Sequence, residues 1–261
     1  MVVKRYTSDL TDEQWKLIDH HFEPLPKTGR PRKYSYREIL NAVFYVVRTG
    51  CQWRNLPKDL PPWSVVYTYY RDWVLLGFWQ ELHDGLRRRV RWAHGRKANP
   101  SAAILDSQSV KSTECNEARG FDAAKKINGI KRHLIVDTLG LVLLVLVTTA
   151  DVQDRDAAPS ALTSCFQAFN TIKLIWADSG YAGQLVAWVS QQFSACLDIV
   201  KPDSHAKGFQ VQRKRWIVER SFGWLGRFRR LNKHYERKTD TAEALVHISM
   251  SQLMLRRLTK S

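Results

Sequence analysis

The chain has 261 residues, room for one substantial core and a smaller domain, and its 41 Lys and Arg against 25 Asp and Glu leave a formal charge of +16. Such an excess calls for a polyanionic partner, nucleic acid ahead of an anionic membrane surface, with a merely basic soluble surface as the plainer alternative. Cys51, Cys115, Cys165 and Cys196 are scattered without a Cys-x-x-Cys pair, which argues against a disulfide framework and against zinc held by thiolates.

Residues 1–14 alternate polar and charged side chains and lack the apolar stretch of an export signal. A short helix is expected over residues 11–22, where Thr11 and Gln14 can form a cap and Trp15, Ile18 and Phe22 share a face. Pro24 and Pro26 end it, and residues 29–33 form a basic arm whose Arg30, Arg32 and Lys33 can run along phosphates or remain a solvated linker. Ser35, with Glu38 three places on, opens a second helix through Ile39, Val43 and Val47, which Gly50 stops. Trp53 and Leu56 read as the buried residues of a loop. Further helices follow from Ser64 through Trp73 and Leu76, and from Gly77 toward Arg91. Several short helices with basic outer faces fit a helix-turn-helix-like DNA-binding domain, or else a plain helical packing domain. Arg71 and the group Arg87, Arg88, Arg89 and Arg91 are the phosphate-contact candidates here.

Residues 95–100 mark a boundary, giving a helical domain over 1–95 and a second domain over 96–261. Beyond it the expected elements are a strand at 102–106, two strands at 131–138 and 141–149 joined as an antiparallel hairpin, and a helix at 156–169. A strand at 172–177, a helix at 185–193, a short strand at 197–200, a helix from about Arg213 toward Arg230 and a last helix at 241–258 complete the series. The apolar run 139–150 is too short to cross a membrane and is rich in Val and Leu, as a buried strand is. No membrane association is expected, and the protein is expected in the cytoplasm, at the nucleoid. The order of elements matches the ribonuclease H-like fold, a mixed β-sheet with helices on its faces in the α/β class. No glycine-rich turn follows Asp106, which removes a Rossmann domain.

Asp106 and Asp178 each close an apolar strand, and Glu219 lies in the basic helical segment 215–222. Three carboxylates from distant parts of a chain suit hard divalent cations, Mg²⁺ with Mn²⁺ as a substitute, and leave places open for phosphate oxygens and water. Two such ions flank the reacting phosphate in phosphoryl-transfer sites, with Asp106 in the bridging position here, Asp178 on one ion and Glu219 on the other. Each acid also has a bland reading: Asp106 and Asp178 as caps of the turns at Ser107 and Ser179, and Glu219 as the ion-pair partner of Arg215 four places earlier. Asp137 is divided between a turn role and a catalytic one. Lys125, Lys126, Lys131, Arg132, Arg215, Arg227, Arg229 and Arg230 surround this edge as candidate DNA contacts. His133 reads as an interior or turn residue before a phosphate contact, and Trp216 and Phe222 as anchors of the Glu219 helix.

Five segments, in order, resemble the bacterial insertion-sequence DDE transposases of the insertion sequence 5 family, related to the insertion sequence 4 superfamily. They are TGCQWRNLP at 49–57, LDSQSVK at 105–111, GIKRHLIVDTLG at 129–140, ADSGYAG at 177–183 and RWIVERSFGWL at 215–225. The resemblance implies recognition of terminal inverted repeats in double-stranded DNA, cleavage and strand transfer into target DNA, and a homodimer or higher oligomer on the DNA. It implies Asp106, Asp178 and Glu219 as the catalytic, metal-binding residues. Related groups carry a tyrosine upstream and a lysine downstream of the glutamate; Gln212 and Gly226 stand there in this chain. A ribonuclease H-like nuclease without strand transfer and a non-catalytic DNA-binding repressor are the alternatives.

Overall fold

The computed structural model describes residues 6–22, 33–114, 119–200 and 214–259. The expected helix near the N-terminus is the short α1, Asp12–Lys16, followed by a single 3₁₀ turn; the Thr11 and Gln14 side chains close its capping box. Ser35 and Glu38 form the same device ahead of α2, Tyr36–Thr49, and Gly50 ends that helix in the left-handed region. Next come α3, Trp63–Leu75, and α4, Phe78–Ala93.

The sheet follows. Its strands are β1, Ala102–Lys111; β2, Gly120–Asp122; β3, Ile127–Asp137; β4, Val142–Thr149; β5, Leu174–Ala177; and β6, Cys196–Ile199. Helices α5, Asp154–Ala168, α6, Gln184–Phe193, α7, Trp216–Gly226, and α8, Thr239–Leu258, complete the chain. β1 pairs antiparallel with β3, β3 antiparallel with β4, and β1 parallel with β5, which pairs parallel with β6. Leaving aside short β2 at the end of β3, the spatial order is β4-β3-β1-β5-β6 with only β3 reversed. That is the ribonuclease H-like arrangement.

Two expectations change. β1 continues past Asp106 to Lys111 because β3 pairs with it all the way to Gly129, so Asp106 sits within a strand. β2 is an element that its sequence did not announce, three residues that gain their ladder only from β3. The expected start of α7 at Arg213 lies outside the described residues. Cys51, Cys165 and Cys196 are free thiols, and Cys115 lies outside.

Strand alternation divides the sheet between two cores. Ala103, Leu105, Ile135, Ile175 and Ala177 face α5 and α6, while Ile104, Leu134 and Val136 face the other layer. That layer includes α7 and α8, and its core runs on without a break into Ile39, Val43, Phe44 and Leu82 of the N-terminal helices. Helix α8, lined by Leu245, Ile248, Met254 and Leu255, is nearly all buried. It packs between sheet and helices, so polar Thr241, Ser249, Ser251 and Gln252 are buried along with its apolar residues.

A buried ion pair supplements this packing. Arg91 of α4 donates to Asp137 at the end of β3, and the other oxygen of Asp137 accepts the Leu139 and Leu141 amides at 2.9 Å each. Asp137 is therefore a turn residue and a latch. Arg87 and Arg91 are withdrawn from the expected phosphate contacts because both are buried and bound to backbone carbonyls near the 97–98 turn.

Candidate active site

The parallel pairing of β1 with β5 ends at Ile104 and Trp176. Two places further on stand Asp106 and Asp178, in corresponding positions beyond the last paired residues. Because side chains alternate along a strand, both acids share the face of Ile104 and Trp176, the face covered by α7. That helix presents Glu219 in its first turn.

The three carboxylates meet at one guanidinium. Arg215 Nη2 lies 3.4 Å from Asp106 Oδ2, 3.7 Å from Asp178 Oδ2 and 3.8 Å from Glu219 Oε1. Residues more than a hundred positions apart thus share one cation. Their surroundings differ: the side chain of Asp106 is 14% exposed, Asp178 32% and Glu219 54%. Burial pushes the Asp106 carboxyl up to about 6, with the Ser107 amide and Arg215 opposing the rise and Asp178 adding to it. Asp178 also caps the 3₁₀ turn 179–181 by accepting the Gly180 amide at 2.9 Å, so its cap role is real and leaves its other oxygen toward Arg215.

Among the described residues no group of three or more His, Cys, Asp or Glu side chains forms a ready-made metal cluster. The all-oxygen donor set nevertheless fits a hard cation, and a cationic group already stands between its members. The guanidinium sets a wider spacing than the roughly 2.0–2.1 Å that Mg²⁺ demands.

The candidate DNA contacts divide by burial. Lys33, Lys125, Lys126, Arg227 and Arg229 are exposed and Arg71 is half-buried, whereas Arg30 and Arg32 lie outside the described residues. Lys131, Arg132 and Arg230 depart from expectation. Lys131 is 7% exposed, donates to the Val152 carbonyl at 2.8 Å and pairs with Asp154 at 3.2 Å. Arg132 is 2% exposed, and burial lowers its basicity to about 10. Arg230 spends two nitrogens on Glu236, at 2.9 and 2.6 Å. Arg215 serves the acids. His133 is interior, 3.0 Å from Thr148 Oγ1, and burial pulls it down to about 4.

Phe222 anchors α7 in the core as expected, but Trp216 is 41% exposed. It stacks with its own helix neighbour instead: the Arg220 guanidinium lies 4.6 Å from its ring and 4.7 Å from that of Trp224. Two features escaped the sequence reading. Arg215 as a partner of all three acids has only the i,i+4 spacing to Glu219 as a local sign, and Trp63 with Tyr67, exposed aromatics one helical turn apart, has that spacing alone.

Comparisons with known proteins identify the family. Residues 97–254 match the family described as "Transposase DDE domain", and residues 10–83 match one described as "Putative transposase of IS4/5 family". A relative from Burkholderia cepacia, the insertion element IS402 uncharacterized 16.2 kDa protein, is 31% identical over 42% of this chain and 78% of its own length. The putative transposase for insertion sequence element IS402, from the same organism, is 28% identical over 46% of this chain and 60% of its own length. Among solved structures, the Mos1 transposase paired-end complex with left transposon end is a distant likeness, 10% identical over 67% of this chain and 61% of its own, with a TM-score of 0.26.

Proposed function

The chain belongs to the transposase DDE-domain family, in the IS4/5 group of insertion-sequence transposases, and we propose that Asp106, Asp178 and Glu219 are its catalytic residues. One observation carries this reading: three acids from two strands and a helix, far apart in sequence, converge on a single cationic group. Structural caps or isolated ion pairs have no reason to meet.

The reaction class is phosphodiester cleavage at an element end, releasing a 3′ hydroxyl, followed by transesterification of that hydroxyl into target DNA. Asp106, Asp178 and Glu219 would hold divalent ions, Mg²⁺ with Mn²⁺ as substitute and two in number, which would supply Lewis-acid polarisation of the phosphate and activation of the attacking oxygen. The chain itself brings the acids to one edge of the sheet and keeps Asp106 largely out of water. Arg215, freed from the acids, would be turned to a phosphate oxygen, for which a planar guanidinium is well suited.

The N-terminal helical domain, 1–95, would read the terminal inverted repeats, and the domain 96–261 would carry the chemistry. Lys33, Arg71, Lys125, Lys126, Arg227 and Arg229 offer exposed or half-buried charge for the duplex, and Arg30 and Arg32, outside the described residues, would add to it. A homodimer or larger assembly would hold two ends together, at the nucleoid. No described helix is long and apolar enough to cross a membrane.

The test is to incubate purified protein with labelled element ends, Mg²⁺ or Mn²⁺ and a target plasmid. Cleavage and joining should vanish in D106A, D178A and E219A proteins while end binding survives. Full strand transfer by all three variants would refute the assignment. Cleavage without joining would identify a nuclease, and end binding without either would identify a repressor.

A further inference from the structure

A pocket of about 650 Å³ opens where the turn after α2 and the start of α3 meet the segment beyond α7. Its walls are aromatic: Trp53, Trp63, Tyr67 and Tyr235, with Arg54 and Arg230 beside them. The size is that of a small-ligand site. Three of these rings leave much of their surface to solvent, Trp63 and Tyr67 at 37% each and Tyr235 at 41%.

The walls are held in place from behind. Trp53 packs 4.9 Å from the buried Tyr70 ring and 5.4 Å from Tyr67. Arg230, tied to Glu236, lies 5.1 Å over the Tyr235 ring. Gly50 brings the two sides together: its φ of +74° turns the chain sharply, and a Cβ there would stand 3.0 Å from Arg229 Cβ and 3.1 Å from its carbonyl carbon. The TGCQWRNLP motif is thus one wall of a pocket whose other wall follows the helix of the third acid.

The charge at the rim selects among occupants. Arg54 is exposed and lies 5.4 Å over the Trp63 ring, and Arg230 is the second cation lining the pocket. Flat apolar walls edged with cations complement a planar ring joined to an anion. We propose that this pocket takes one unstacked nucleobase of a DNA strand, sandwiched by the aromatic rings, with Arg54 on its phosphate. The proposal rests on the transposase reading for its choice of DNA. Arg230 and Tyr235, which form the other wall, follow α7 in the chain.

The test uses the full chain in EDTA, where no chemistry occurs, and fluorescence polarisation with two probes: an oligothymidylate of about twelve nucleotides and a blunt duplex. W63A should weaken oligothymidylate binding about ten-fold and leave duplex binding unchanged. W63F should restore it, and R54Q should weaken it as well. With 5-iodouracil in the oligonucleotide, photocrosslinks should map to Trp63, Tyr67 or Tyr235. Wild-type affinity of W63A for oligothymidylate, or crosslinks confined to other surfaces, overturns the pocket while leaving the duplex reading intact. Failure of the wild type to bind either DNA overturns both.

Discussion

Arg215 carries the electrostatics of the site. Three carboxylates around one open position repel one another, and the shared guanidinium offsets that repulsion. Its pair with half-exposed Glu219 contributes little, whereas the pair with Asp106 stands in a drier place and contributes more. Arg215→Gln should therefore cost about 1–2 kcal/mol of stability, less than a fully buried pair would. Mn²⁺ should then raise the melting temperature of the variant more than that of the wild type, because a dication replaces the missing charge. Thermal melts with and without Mn²⁺ check this; identical Mn²⁺ shifts in both proteins would show that Arg215 does not neutralise the acids.

At the scale of elements, the sheet and its two cores place the acids, and the β3–β4 turn fastens the helical region to them. Asp137 is fully buried, accepts two turn amides and receives the Arg91 guanidinium. Asp137→Ala leaves Arg91 as an uncompensated buried charge and frees both amides. The expected loss is about 3–5 kcal/mol, read from urea unfolding. Replacing both partners, Arg91→Met with Asp137→Ala, should cost less than the sum of the single changes. Additive losses would mean that the two side chains act separately. The same turn bears on the helix that carries Glu219, since Gly140 has φ +80° and a Cβ there would press within 2.9 Å of Ser221 and Trp224 on α7.

Across the whole molecule the interior is sensitive to pH in a definable direction. Glu243 of α8 accepts the Val147 amide of β4 at 2.9 Å, and burial pushes its carboxyl up to about 7 from an ordinary 4.5. The folded state therefore favours the protonated acid. Its contribution to stability is fully present below pH 4.5 and is lost as pH rises through about 7. Glu243→Gln keeps the acceptor without the charge, so it should match the wild type near pH 4 and exceed it by about 3 kcal/mol at pH 8. Denaturant titrations across that range check the sign; a constant difference at all pH values would mean that Glu243 ionises in the folded protein as freely as in the unfolded chain.

Much was legible from local patterns. Helix starts at Thr11 and Ser35, the stop at Gly50, the hairpin and the order of strands all follow from side chains close to one another in sequence. Asp106, Asp178 and Glu219 stood out as candidates in the same way, because each closes or interrupts an apolar run within its own segment. Tertiary structure alone decided what depends on distant partners. Asp106 proved to lie within a strand because β3 extends the ladder beyond it. Lys131, Arg132, Arg230, Arg87 and Arg91 were charges available to a polyanion until the fold buried them. A charge count is a property of composition, but whether a cation meets solvent, a carboxylate or a neighbouring strand is set by contacts between remote segments. Arg215 and the aromatic pocket belong to that second class, since neither exists until strands, helices and turns from both ends of the chain have come together.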